Sequence, residues 1–120
     1  MIFSPALCDL ILVGKKRVTR RPVKWRETPA DVEIIPCRYK VNKTYAVQPG
    51  RGKSGVGRVR IVSTELQSLG YLSGPEAALE GFQMWDGRGV PNAFENRWRE
   101  LYGGYNPMRS VWRIEFELVA

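Results

Sequence analysis

The sequence predicts an α+β domain built on a small β-barrel, and three observations carry that expectation. Short stretches rich in β-branched residues recur between residues 17 and 63, separated by Pro36, by Asn42-Lys43 and by a Gly-rich loop. Residues 110–119 alternate strictly, with Trp112, Ile114, Phe116 and Leu118 on one face and Val111, Arg113, Glu115 and Glu117 on the other. Two Ser-led start signals place helices at the ends of this strand-rich stretch. With 120 residues, thirteen aromatics and no internal repeat, the whole chain, 1–120, is expected to share one core.

Ser4-Pro5 opens the first helix, because serine can accept a backbone amide bond and proline fits the first turn. Leu7, Leu10 and Ile11 follow at helical spacing, and Gly14 supplies the stop. Residues 17–23 form a short strand ended by Pro22, and residues 24–30 read as a loop. Barrel strands are expected at 32–35, 37–40 and 44–48. A basic loop, 49–55, precedes a strand at 56–63 with Arg58 and Arg60 on one face. Ser73-x-x-Glu76 is a capping box around Pro75, opening a helix through Glu80 that Gly81 ends. Residues 86–89 read as a turn. Residues 91–102 place Phe94, Trp98 and Leu101 on one helical face before Gly103-Gly104.

Composition narrows the chemistry. Two cysteines, Cys8 and Cys37, cannot build a disulfide framework, and without histidine a structural zinc site has no ordinary ligand set. Neither a metal nor a cofactor is expected, and proton transfer falls to Lys, Glu, Asp, Tyr or Cys. No apolar run approaches the roughly 18 residues of a membrane span, so a soluble, cytoplasmic protein with no membrane partner is expected, a monomer or weak homodimer.

The net charge of +7 is unevenly placed. Residues 1–60 carry 14 Lys/Arg against 4 Asp/Glu, whereas residues 61–120 carry 5 against 8. Lys15, Lys16, Arg17, Arg20, Arg21, Lys24 and Arg26 accumulate without an intervening acid, and Arg51, Lys53, Arg58 and Arg60 follow. Such clusters favour phosphate backbones, because binding releases condensed counterions.

Individual motifs are less decisive. Gly50-Arg-Gly-Lys-Ser-Gly55 matches G-x-G-x-x-G, but a strand follows where the dinucleotide fingerprint needs a helix. Neither Val47 nor Gln48 supplies the glycine that would open a Walker loop. The loop either lets Arg51 and Lys53 approach phosphates or is a mobile hairpin. Trp98 and Trp112 belong to the core by their periodicity. Trp25, between Lys24 and Arg26, either stacks a base or caps the barrel. Glu80 stands at a helix C-terminus, where the macrodipole disfavours a carboxylate.

Taken together, several segments resemble the ASCH domain of the PUA-like superfamily. Gly14-Lys15-Lys16-Arg17-Val18-Thr19-Arg20-Arg21 is similar to its G-[KR]-K-[TR]-x-T-x-R signature, and Leu79-Glu80-Gly81-Phe82 to its acidic E-G-F segment. Trp98-Arg99-Glu100-Leu101-Tyr102-Gly103 and the segment from Val111 through Leu118 resemble its closing helix and strand. The loop from Tyr45 to Lys53 is similar to that of compact stand-alone members from phage and bacterial genomes.

The resemblance implies a PUA-like barrel with helices at its rim and a basic cleft between barrel and first helix. RNA is the ligand it implies, with DNA as the alternative. Lys15, Lys16, Arg17, Arg20, Arg21, Trp25, Arg51, Lys53 and Arg58 are the candidate nucleic-acid contacts. Amidohydrolase-like members of the family use a Lys, a Thr and a Glu, and those motif positions fall on Lys16, Thr19 and Glu80. A second reading is therefore a small hydrolase acting on an acylated cytidine or an RNA linkage. In it, Lys16, its pKa depressed by neighbouring cations, takes the Thr19 proton while Glu80 orients the pair or activates water. Lys16 must then precede the strand, because residues three apart on a regular strand face opposite ways. Arg17 replaces the usual threonine and favours phosphate. Arg21 is a phosphate or carboxylate clamp or a structural ion pair.

Overall fold

The structure, a computed structural model, describes residues 1–82 and 92–119, so the turn expected at 86–89 and Trp85 lie outside the described residues. Helix α1 (Pro5–Leu12) begins where expected, with the Ser4 hydroxyl accepting the Leu7 amide at 3.4 Å. Its buried residues are Cys8 and Ile11. Gly14 ends the turn with φ +79°, a left-handed conformation that glycine adopts without a Cβ clash.

Strands β1 (Val18–Pro22), β4 (Thr44–Val47), β5 (Gly57–Ser68) and β6 (Ser110–Leu118) form one antiparallel sheet in the order β1-β6-β5-β4. Of the expected small barrel the described strands make a curled half, with β1 and β4 as the two edges of the sheet. Pro22 is tolerated because β1 is such an edge. Beside β4 the N-terminal segment adds a bridge, with the Phe3 amide donating to the Gln48 carbonyl at 3.0 Å.

Strand β5 is longer than the sequence predicts, and a bulge explains why. Ile61 pairs with Phe116 but Ser63 with Glu115, so Val62 is an extra residue. Beyond it the alternation inverts. Val59 and Ile61 point to the core, whereas Glu65 and Gln67 share the opposite face with their partners Arg113 and Val111.

Residues 24–30 are not a loop throughout. β2 (Trp25–Glu27) pairs with β3 (Val32–Ile34) as a separate two-stranded ribbon, with Arg26 opposite Glu33 and joined to it at 2.8 Å. The expected strand at 37–40 does not form; Cys37 and Tyr39 instead enter the core from an irregular segment.

Helix α2 (Gly74–Glu80) starts at Ser73, whose hydroxyl accepts the Glu76 amide at 3.3 Å. Helix α3 (Asn92–Tyr102) ends before Gly103, which has φ +82°. Two apolar clusters result. One gathers Phe3, Cys8, Ile11, Val59, Ile61, Ile114 and Phe116; the other gathers Leu69, Leu72, Ala77, Phe94, Trp98 and Val111. Val111, expected on the outer face of β6, is fully buried because the second cluster covers that face. Leu101 and Leu118, expected inward, are exposed, and Trp112 is half-buried.

Candidate functional site

Lys16 owes its position to the end of α1. The amides of Lys15 and Lys16 both donate to the Leu10 carbonyl, at 2.9 and 3.1 Å, and the Arg17 amide donates to the Leu79 carbonyl of α2 at 2.8 Å. The chain is thereby turned inward between the two helices before the β1 ladder starts at Val18. The condition set by the strand periodicity is met.

The Lys16 side chain is 2% exposed, and its ammonium donates to the carbonyls of Val18 at 2.7 Å and Glu80 at 2.6 Å, and to Glu80 Oε1 at 3.3 Å. A cation at the last carbonyl of α2 complements the helix macrodipole that disfavours the Glu80 carboxylate. Gly81, at φ +101°, makes this approach sterically feasible: a Cβ there would meet Leu10 and Leu7 side-chain atoms at 3.1 and 3.2 Å. Burial holds the Lys16 pKa below its ordinary value; Glu80 opposes that shift, and Arg21 and Arg20 reinforce it. Desolvation, rather than neighbouring cations, is thus the main cause.

The Arg20 side chain is fully buried and donates to Glu80 Oε2, Glu76 Oε1 and Gln67 Oε1, each at 3.2 Å. Glu76 also accepts from Arg113 Nε at 2.6 Å and Nη2 at 3.2 Å, and Arg113 reaches Glu115 at 3.2 Å. Three cations and three carboxylates form one network between the apolar clusters. The fork of Arg113 holds the Glu76 carboxyl below its ordinary range, with Arg20 adding to the effect. Sequence reading missed Glu76 and Arg113 here; the only signal at Glu76 was its capping-box position, and its carboxylate serves the arginines instead.

Lys16, Thr19, Arg20, Arg21 and Glu80 all line one cavity of about 360 Å³, at the small end of the range for small-molecule sites. Thr19 is 6% exposed and makes no hydrogen bond to Lys16 or Glu80. Arg21 donates to the Ile2 carbonyl at 3.0 Å and lies over the Phe3 ring, 5.2 Å from its centroid. The rings of Phe82, Phe94, Trp98 and Tyr102 complete the lining, with Phe94 and Trp98 stacked at 6.0 Å and Trp98 and Tyr102 tilted, their centroids 4.4 Å apart. Trp98 is therefore both core and cavity wall. Two buried N–H groups of the lining, Arg20 Nε and Trp98 Nε1, have no acceptor among the described residues.

The remaining candidates are not brought into this cavity. Lys15 and Arg17 are exposed beside it in sequence, and Trp25 is 55% exposed on β2. The 49–55 loop contributes only Pro49 to the lining, leaving Arg51 and Lys53 in solvent. Arg58 lies on the outer face of β5, where it donates to Thr44 Oγ1 at 3.1 Å.

No family model and no curated protein sequence match the chain. Among solved structures, an ASCH domain from Lactobacillus crispatus JV V101 is similar with a TM-score of 0.60 and 23% identity, over 93% of this chain and 69% of that one. A protein from Enterococcus faecalis V583 assigned to the family model DUF984 is similar with a TM-score of 0.63 and 18% identity, over 94% of this chain and 69% of that one. The chain thus has the fold of the ASCH domain. No helix among the described residues is long and apolar enough to cross a membrane.

Proposed function

We propose that this chain is a nucleic-acid-binding protein of the ASCH type, that its ligand is RNA, and that the aromatic-walled cavity receives one unpaired base. One observation carries the reading: the buried cations are neutralised within the protein, whereas Lys15, Arg17, Arg21 and Lys24, around the cavity or adjoining it in sequence, have no carboxylate partner among the described residues. Their charge is left for an external anion. Inside the cavity, the partly buried rings of Phe82 and Tyr102 offer stacking surface to a base.

The test is binding of single-stranded and duplex RNA across a salt series. Contacts from Lys15, Arg17 and Arg21 to three phosphates contribute about −2 to the slope of log K on log salt for single strands. Removing all three charges reduces the slope by about 2, and a flat response in the unaltered chain overturns the reading.

The hydrolase reading keeps a place because Lys16, Thr19 and Glu80 line the same enclosed space and Lys16 is held below its ordinary pKa. In that reading the Lys16 amine takes the Thr19 proton and Thr19 Oγ1 attacks the acyl carbon of an N-acylated cytidine. The C–N bond breaks, the amine leaves with the proton, and water then hydrolyses the threonyl ester. Thr19→Val removes the nucleophile without touching the ion network, so it abolishes release of the acyl group if this chemistry operates; an unchanged rate ends the idea.

A further inference from the structure

A second cavity, of about 550 Å³, lies between the end of β1, the segment after β3 and the start of β6. Arg21, Lys24, Arg38 and Arg109 line it, and no Asp or Glu does. None of the four has a carboxylate partner among the described residues. Two are set by aromatic rings: Arg38 lies 5.2 Å from the Tyr39 centroid, and Arg109 lies 5.6 Å from that of Tyr102 and 5.9 Å from that of Trp98. Lys24 is placed by its own carbonyl, which accepts the Ile35 amide at 2.9 Å. Four like charges around one hollow repel one another, and an anion seated among them offsets that repulsion. Three of the four are guanidinium groups, whose planar fork suits phosphate oxygens.

The hollow is also larger than a lone phosphate needs, and Tyr39 and Trp112 line it with rings. Arg21 and Tyr102 belong to both cavities, which therefore adjoin across a shared wall. We propose that this second cavity is a strand-binding extension of the first, holding the phosphate and neighbouring nucleotide of a single-stranded RNA whose base occupies the first cavity. The proposal rests on the nucleic-acid reading above and assigns roles to Lys24, Arg38 and Arg109, which the motif-based candidates did not include.

The test measures anisotropy of a labelled single-stranded 12-nucleotide oligouridylate over a salt series, with uridine monophosphate as competitor. Lys24→Gln/Arg38→Gln alters two exposed residues, and Arg109→Gln is a second, independent variant. Lys40→Gln/Lys43→Gln removes the same charge outside both cavities and serves as the reference. The Lys24/Arg38 pair is expected to weaken binding about tenfold or more and to flatten the salt slope by about 1.4, and Arg109→Gln to flatten it by about 0.7. The reference pair leaves the slope unchanged. If the unaltered chain binds steeply but both cavity variants behave like the reference pair, the extension falls and the nucleic-acid reading stands. If the unaltered chain shows no salt-dependent binding, both fall. Uridine monophosphate binding as tightly as the 12-mer overturns a strand as the occupant.

Discussion

At the scale of single residues, the site is governed by the cost of leaving a charge alone in the interior. Glu80 is 3% exposed and is the carboxylate that faces both Lys16 and Arg20. Glu80→Ala strands the buried Lys16 and leaves Arg20 with Glu76 alone, and is expected to cost about 3–5 kcal/mol, read as a lower urea midpoint at unchanged slope. A loss below 1 kcal/mol would show that the network carries little. Glu76 gives the pH signature. Its folded pKa is depressed from the ordinary 4.5, so its contribution is fully present above that value and is lost as pH falls through the folded pKa. The melting-temperature gap between the unaltered chain and Glu76→Gln is therefore expected to be widest near neutrality and to close in acid. A gap that is constant with pH would contradict the assignment.

Among the elements, β5 carries one extra residue. Deleting Val62 makes Ile61–Phe116 and Ser63–Glu115 consecutive pairs, so Glu65 and Gln67 keep their face, whereas inserting one residue between Thr64 and Glu65 drives both to the face that Ile61 and Val59 occupy. The insertion is expected to abolish the folded circular-dichroism spectrum or solubility, whereas the deletion keeps the folded spectrum; the reverse outcome would contradict the bulge assignment. This also explains what the sequence could show of the elements. α1, α2 and β6 were legible because caps, glycine stops and strict alternation are local signals. The second half of β5 was not, since the bulge reverses the period that reveals a strand. β3 answers to the strand expected at 32–35, but β2 escaped notice because all three of its side chains are exposed, so no apolar face marks it. The open sheet is a property of strand order, which no local pattern reports.

For the molecule as a whole, ligand linkage provides a third check. RNA at about 100 times its Kd is expected to stabilise the fold by about 2.7 kcal/mol, an effect that fades as salt weakens binding. No shift in melting temperature at low salt would count against the proposed ligand. The site itself was only half legible. Lys16, Thr19, Arg20, Arg21 and Glu80 came from the motif resemblance, and the fold brings them to one cavity. Arg38 and Arg109 carry no motif, and the fold brings them to the same hollow from positions 71 residues apart in sequence.

Arg20 reaches α2 through two glutamates and β5 through Gln67, while its own backbone pairs with β6. A neutral residue in its place leaves Glu80 to Lys16 and Glu76 to Arg113, and loss of either acid leaves Arg20 with the other. Because Arg20, Glu76 and Glu80 each have two oppositely charged partners, an evolutionary path to a different cavity floor can exchange these positions one at a time, each step thinning the network before the next.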